Sequence, residues 1–393
     1  MDAACGNSPE QPRQWAVRAT SAERAIVTRH LRRVWGLPGT LLAVCASPAT
    51  PAQRVFEPWN YWWQAHVLDC LVDAYIRAPT PARRDRVERM INGIRVRNAR
   101  GWRNDYYDDM AWLALALDRA RRYVLGRAPR ASAAVMELSG AIYEAWTEDG
   151  GGGIWWRAKE KYQEDFKNVP TNGPAAILFA WLREPRGYET ARWIETHLVD
   201  HDTGVVWDGL HVSPAGGIRE IETARYTYVQ GVFLGACVEL ARWDRDGAEA
   251  EHWAERATRT IDAVAEHLTA RPARSPSLVL RGQGGGDGGL FAGILARYLA
   301  QAALALPEFG PAYERSARTA SDLVLSSARA AWSNAAWGHS VRDHRRHTST
   351  GPVFGYEWSE PARLPSQGGV AERDLSVQVG AWMLLEAASL LQR

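Results

Sequence analysis

The sequence predicts an all-α fold of twelve helices, paired into six hairpins that close as a double ring, an (α/α)6 toroid in a single domain. Three observations lead there. Apolar residues recur at helical spacing in about twelve segments separated by Gly and Pro, and no stretch alternates long enough for a major sheet. The segments fall alternately into a charged, amphipathic class and a class that is apolar nearly all round. Each apolar segment also opens on a polar, aromatic or Gly-rich run. An irregular α-domain or an open superhelical array satisfies the first observation alone; six exposed and six buried segments in alternation favour the closed ring.

In order, the helices are read at 20–35, 59–78, 81–95, 104–124, 129–146, 170–183, 186–198, 222–243, 247–268, 287–304, 308–330 and 369–392. Residues 1–19 are read as an N-terminal tail and 20–393 as the domain. "SAERAIVTRHLRRVW", "PARRDRVERMINGIRV" and "AEAEHWAERATRTIDAVAEHL" represent the outer class, which shows one face to water. "QGVFLGACVEL", "GILARYLAQAALAL" and "WMLLEAASLL" represent the inner class. Short hairpins are expected in "GGGIWWRAKEKYQ" and "DTGVVWDGLHV", where Gly-rich turns bound Trp- and Val-rich runs. The Gly-, Pro- and Ser-rich stretch 331–368 is a loop excursion.

The inner helices start at "EPWNYWWQAH" (57–66), "NDYYDD" (104–109), "KNVPTNGP" (167–174), "ARYTYVQG" (224–231), "GGGDGG" (284–289) and "VAERDLSVQ" (370–378). In a ring of antiparallel hairpins the inner helices run parallel, so these starts meet at one mouth with helix-start N–H groups pointing into it. One capping Asn or Asp per start is ordinary. Two tryptophans, two tyrosines and two aspartates are not. With Asn104 as N-cap, Asp108 and Asp109 fall one turn inside their helix. Their carboxyl separation is then on the order of 5–7 Å, nearer the ~5–5.5 Å of retaining glycosidases than the ~6.5–9.5 Å of inverting ones. An ionised carboxylate raises its neighbour's pKa and keeps it protonated as an acid. By spacing alone, a double aspartate is more often a pair of solvated helix-start charges.

Net charge is +2, which gives no electrostatic ground for nucleic acid or a membrane as partner. The 19 tryptophans fit either a large core or platforms that stack on sugar faces. Cys5, Cys45, Cys70 and Cys237 show no CxxC spacing, and Cys70 and Cys237 read as small buried hydrophobes. The apolar run 37–49 is too short to span a bilayer and lies too far in for a signal peptide, so a cytoplasmic location is expected. Histidine spacing offers no metal site, and no cofactor is expected.

Six segments together carry a resemblance: "YWWQAHVLDCLVDAY" (61–75), "NDYYDDMAWLALAL" (104–117), "GGGIWW" (151–156), "KNVPTNGPAAILFAWL" (167–182), "TYVQGVFLGA" (227–236) and "GDGGLFAGILARYL" (286–299). In order, number and spacing the chain resembles glycoside hydrolase family 76, the endo-α-1,6-mannanase family. The resemblance implies an (α/α)6 fold and cleavage of α-1,6-mannosidic bonds with retention. Asp108 would be the nucleophile and Asp109 the general acid/base, and Asp208 a carboxylate that binds sugar hydroxyls; as a turn residue before Gly209, Asp208 has an equally ordinary explanation. By position, Asn172, Gln230 and Asp287 offer amide or carboxylate contacts at the mouth. Trp62, Tyr107 and Trp156 are candidate stacking platforms, and His66 is as readily a core histidine as a contact. The expected partner is α-mannan or a manno-oligosaccharide bound by a monomer, and family habit makes secretion the alternative location. Two departures, Val229 where an amide is common and Ala292 where a lysine is common, are expected to trim the cleft. A transglycosylase and a non-catalytic mannan-binding protein are the competing readings. A terpene cyclase comes last, because Met110-Ala111-Trp112 lacks the third carboxylate of a metal-binding acidic box.

Overall fold

The computed structural model describes residues 13–272, 277–339, 349–365 and 369–393. Its outer helices are α1 (Arg13–Arg29), α3 (Pro81–Arg97), α5 (Pro129–Glu144), α7 (Arg186–Leu198), α9 (Ala248–His267) and α11 (Glu314–Ser333). Its inner helices are α2 (Tyr61–Arg77), α4 (Tyr107–Ala120), α6 (Val169–Leu182), α8 (Thr227–Trp243), α10 (Gly288–Ala305) and α12 (Leu375–Leu391). Burial follows the two sequence classes. On α9 the buried residues Ala250, Trp253, Ala254, Ala257, Ile261 and Val264 form one stripe at helical spacing. On α12 every residue from Leu375 to Ser389 is buried.

Each inner helix packs on the next, and α12 packs on α2, which closes the ring. Each outer helix lies against the inner helix before it, and α1 completes the sixth hairpin with α12. Bonds among the inner-helix beginnings gather them at one rim. Trp63 of α2 reaches Asp287 at the head of α10, Gly286 N–H reaches Asp374 at the head of α12, and Thr227 N–H of α8 reaches Gln283. Tyr107 N–H of α4 donates to the Trp156 carbonyl, and Trp156 N–H to Phe166 in the strand leading into α6. Macrodipoles pointing one way leave all six positive ends at this mouth.

The tightest seam is between α10 and α12. A Cβ on Gly293 would sit 2.5 Å from the Gly380 carbonyl oxygen, so glycine is required for the helices to touch. Gly293→Ala forces them apart and is expected to cost about 2 kcal/mol, read as a lower urea midpoint with unchanged slope.

Several boundaries differ from the sequence expectation. Among the described residues the first helix already runs from Arg13, inside the expected tail, because Trp15 and Ala19 continue the buried stripe of Ala22 and Ile26. It stops at Arg29, not 35, because Leu31 and Arg32 pair as a strand with Ala43 and Leu42. Neither expected hairpin closes on itself. Gly209–Val212 is the centre of a three-stranded antiparallel sheet between Phe166–Asn168 and Ile218–Glu222. Ile154 and Trp155 bridge instead to Trp146 and Lys167. The strand Ile218–Glu222 also delays α8, expected from 222, to Thr227.

Candidate active site

Asp108 and Asp109 lie in the first turn of α4, half-buried and facing the mouth. Asp108 Oδ1 accepts the Asp109 backbone N–H at 2.8 Å, and Oδ2 accepts Trp156 Nε1–H at 3.0 Å. Asp109 Oδ2 accepts Asn104 Nδ2–H at 2.6 Å. Asn104 is not the N-cap, which is Tyr106. Its side-chain Oδ1 instead accepts Tyr106 N–H at 3.0 Å, which turns the Nδ2 donor toward Asp109.

The two carboxyls are thereby unequal. Burial pushes Asp108 up to about 6, while its two donors pull it back. Burial first and the Asp108 charge second hold Asp109 well above the usual carboxylate range. With two N–H donors on Asp108 and one on Asp109, a single negative charge is better held on Asp108, and that charge favours a proton on Asp109, the division that a nucleophile and an acid require. Since the Trp156 bond lowers the Asp108 pKa, Trp156→Phe is expected to move the acid limb of the pH–rate profile upward. A loss of about ten-fold in kcat/KM should accompany the shift.

Asp287 Oδ1 accepts both indole N–H groups of the first inner helix, Trp62 at 3.1 Å and Trp63 at 2.8 Å. Trp62 also edges a stacked pair, Tyr228 and Phe291, whose rings are 4.0 Å apart and 13° from parallel. Trp112 lies 6.5 Å from it. These rings make an aromatic floor beside the carboxylates. Asp208 precedes the central strand, with Oδ1 buried and unpartnered, and burial, Glu222 and Asp108 push it up to about 7. Tyr107 is half-buried, tied by its backbone N–H to the Trp156 carbonyl. The Trp156 ring is flanked by Tyr106, Phe166 and Arg157.

Three expected contacts do not face the cleft. Asn172 is fully buried, with its amide engaged by Ile154 N–H, the Ile154 carbonyl and the Asn168 carbonyl. Gln230 does the same to Val206 N–H and carbonyl and to the Tyr226 carbonyl. Gln64 grips Ala43 and Gln378 grips Phe354 in the same two-bond way. All four amides occupy the fourth residue of their inner helix, where they staple a rim loop to the ring. The two inner helices without a staple place Met110 and Phe291 there, and these are the helices that head with Asp108–Asp109 and Asp287. His66 is also buried, edge-on beneath Trp62 and 4.7 Å from Trp112. Burial first, then Arg297, drives its pKa well down, so the ring is a neutral support for the floor. Val229 and Ala292 are buried in the ring, so neither departure trims the cleft.

Sequence reasoning missed Tyr228, Phe291, Trp112 and Glu222 as parts of this site, and gave Asn104 a different task. The "YTY" and "GGLF" runs carry these rings, yet only the packing of α8 on α10 stacks them.

Residues 21–367 match the family profile described as Glycosyl hydrolase family 76. The solved GH76A α-1,6-mannanase of Salegentibacter sp. HEL1_6 is 28% identical with a TM-score of 0.78, aligned over 96% of this chain and 100% of that one. An inactive variant of that enzyme, with two consecutive aspartates changed to asparagine and α-1,6-mannotriose bound, is 27% identical with a TM-score of 0.76 over 96% and 100%. The Lin0763 protein of Listeria innocua is 26% identical with a TM-score of 0.74 over 95% and 96%. No curated protein sequence matches the chain. With the profile spanning most of its length and the solved relatives sharing its ring of helices, the chain belongs to glycosyl hydrolase family 76.

Proposed function

We propose that this glycoside hydrolase cleaves α-1,6-mannosidic bonds within α-mannan or manno-oligosaccharides, with retention, by double displacement. The observation that carries the reading is the consecutive pair of half-buried carboxyls with unequal hydrogen-bond partners. Support comes from the solved relative whose inactive form lacks two consecutive aspartates and binds α-1,6-mannotriose.

The Asp108 carboxylate attacks the anomeric carbon as the glycosidic C–O bond breaks, and Asp109 gives its proton to the departing oxygen. A mannosyl ester on Asp108 remains. Water then attacks the same carbon, Asp109 takes the water's proton, and the ester bond breaks to release an α-configured product. Trp156 and the Asp109 N–H hold the nucleophile's two oxygens in place, so orientation is set before the sugar arrives. Asp287, fixed by two indoles, and the unpartnered oxygen of Asp208 offer acceptors for sugar hydroxyls, and the Trp62–Tyr228–Phe291 floor offers an apolar face.

The test is purified full-length chain on linear α-1,6-mannan, with products followed by proton NMR as they form. Early appearance of the α-anomer of shortened oligosaccharides supports the reading. Early β-anomer overturns retention, and no turnover with both aspartates intact overturns the substrate.

A further inference from the structure

The net charge of +2 hides a strong segregation. Residues 13–130 carry 21 Arg and 10 Asp or Glu, whereas residues 131–393 carry 26 Lys or Arg and 33 Asp or Glu. One part is therefore +11 and the other −7, with Asp2 and Glu10 supplying the remaining −2. Some of these arginines are used inside the ring, such as Arg77 and Arg83 on Glu23 and Arg119 on Asp69 and Asp73. Others define a face. A groove of about 580 Å³ lies between α3 and the start of α5, with Arg84, Arg95, Arg127 and Arg130 on its walls and Glu88 its one acid. Glu88 and the neighbouring Asp85 are each paired with an arginine one turn away. Arg95, Arg127 and Arg130 have no acidic partner among the described residues.

Toward the mouth this groove meets an apolar tip. Asn92 Nδ2–H donates to the Gly39 carbonyl at 2.9 Å and Leu41 N–H to the Arg89 carbonyl at 2.8 Å, which fastens the 33–41 turn onto α3. Trp35 on that turn is 55% exposed and has φ +47°, the left-handed region that a bulky side chain avoids. Its indole N–H is tethered to the Val55 carbonyl at 3.3 Å, and Val55 and Leu37 are themselves exposed. Strain and tether together hold an aromatic–aliphatic tip in water beside a basic groove.

We infer that this face docks the protein on an anionic lipid bilayer, with the arginines at the phosphate level and Trp35, Leu37 and Val55 in the interface. The pairing of a basic surface with Trp and aliphatic tips is the chemistry of interfacial attachment. A nucleic acid would satisfy the arginines and leave the apolar tip without a counterpart. Among the described residues, the one helix apolar and long enough to cross a bilayer, Gly288–Phe309, is mostly buried in the ring. The expectation of no membrane partner came from the sum of the charges, which segregation makes uninformative.

The test is co-sedimentation of the full chain with vesicles of phosphatidylcholine containing about 30% phosphatidylglycerol, against pure phosphatidylcholine, at low salt. Binding to the anionic vesicles alone is expected, weakened about ten-fold or more by high salt and by Arg95→Glu/Arg127→Glu/Arg130→Glu together. Trp35→Ala should weaken it about three-fold without changing the salt dependence. Unchanged circular dichroism and unchanged oligosaccharide turnover, if the proposed activity holds, confirm that the variants fold; dichroism alone serves if it does not. Absence of anionic-vesicle binding, retention of binding by the triple variant, or binding to duplex DNA without vesicles overturns the inference.

Discussion

Asp108→Ala is expected to lower kcat on α-1,6-mannan by on the order of 10⁴-fold or more, and no choice of leaving group should restore it. The reason is that the proposed mannosyl ester forms on Asp108, whose oxygens are the ones fixed by Trp156 and the Asp109 N–H. Asp109→Ala should behave differently. Its proposed task in the first step is to protonate a poor leaving group, so an aryl mannoside with an acidic phenol escapes most of the loss in that step. Comparing both variants on mannan and on the aryl mannoside separates the roles; equal losses on both substrates would sink the assignment. The same pair makes a stability prediction. Both carboxyls have folded pKa values above the ordinary carboxylate value, so protonated carboxyls favour the fold, and this contribution is lost as pH rises through the folded values. At neutral pH Asp109→Asn is therefore expected to raise Tm by about 2 °C while abolishing turnover of mannan, and a calorimetric scan checks it.

The largest stability effect is expected at Lys167, which has no part in the proposed chemistry. Its side chain is fully buried, and its ammonium donates to the Thr147, Asp149 and Gly152 carbonyls and to Thr147 Oγ1, at 2.6 to 3.0 Å. These oxygens line a turn in which Gly150, Gly151, Gly152 and Gly153 all have positive φ, a backbone only glycine adopts freely. Lys167→Met leaves the carbonyls without a donor and is expected to cost about 3–5 kcal/mol. The turn carries Trp156 three residues beyond its last glycine, so kcat should fall with stability. Thermal melts and mannan turnover on one sample check both, and a stable, fully active variant would contradict the account.

Much of this molecule was legible beforehand because its signals are local or repeated. Helical spacing of apolar residues gave twelve helices and their two classes, since a stripe of side chains reports one face of a helix whatever lies opposite. The double aspartate at a helix start, with the order of the motifs around it, placed the family. The polar residues near the mouth were not legible in the same way. Asn172 and Gln230 look from sequence like amides aimed at a cleft, and they are staples that hold the rim loops 18 and 24 residues before them. Spaced alike with Gln64 and Gln378, they form a four-fold repeat that is recognised once the helix starts are superposed.

What the sequence determined by itself, then, is the count and character of the helices and the pair of carboxyls at the head of α4. Only the tertiary structure decided which polar groups meet solvent, which loop each one grips, and how charge is distributed over the surface. The physical reason is that periodicity constrains a side chain's face, whereas its hydrogen-bond partners are backbone groups brought close by ring closure. Asn172 and Gln230 are indistinguishable from ligand contacts until that closure puts Ile154 and Val206 within 3 Å of them.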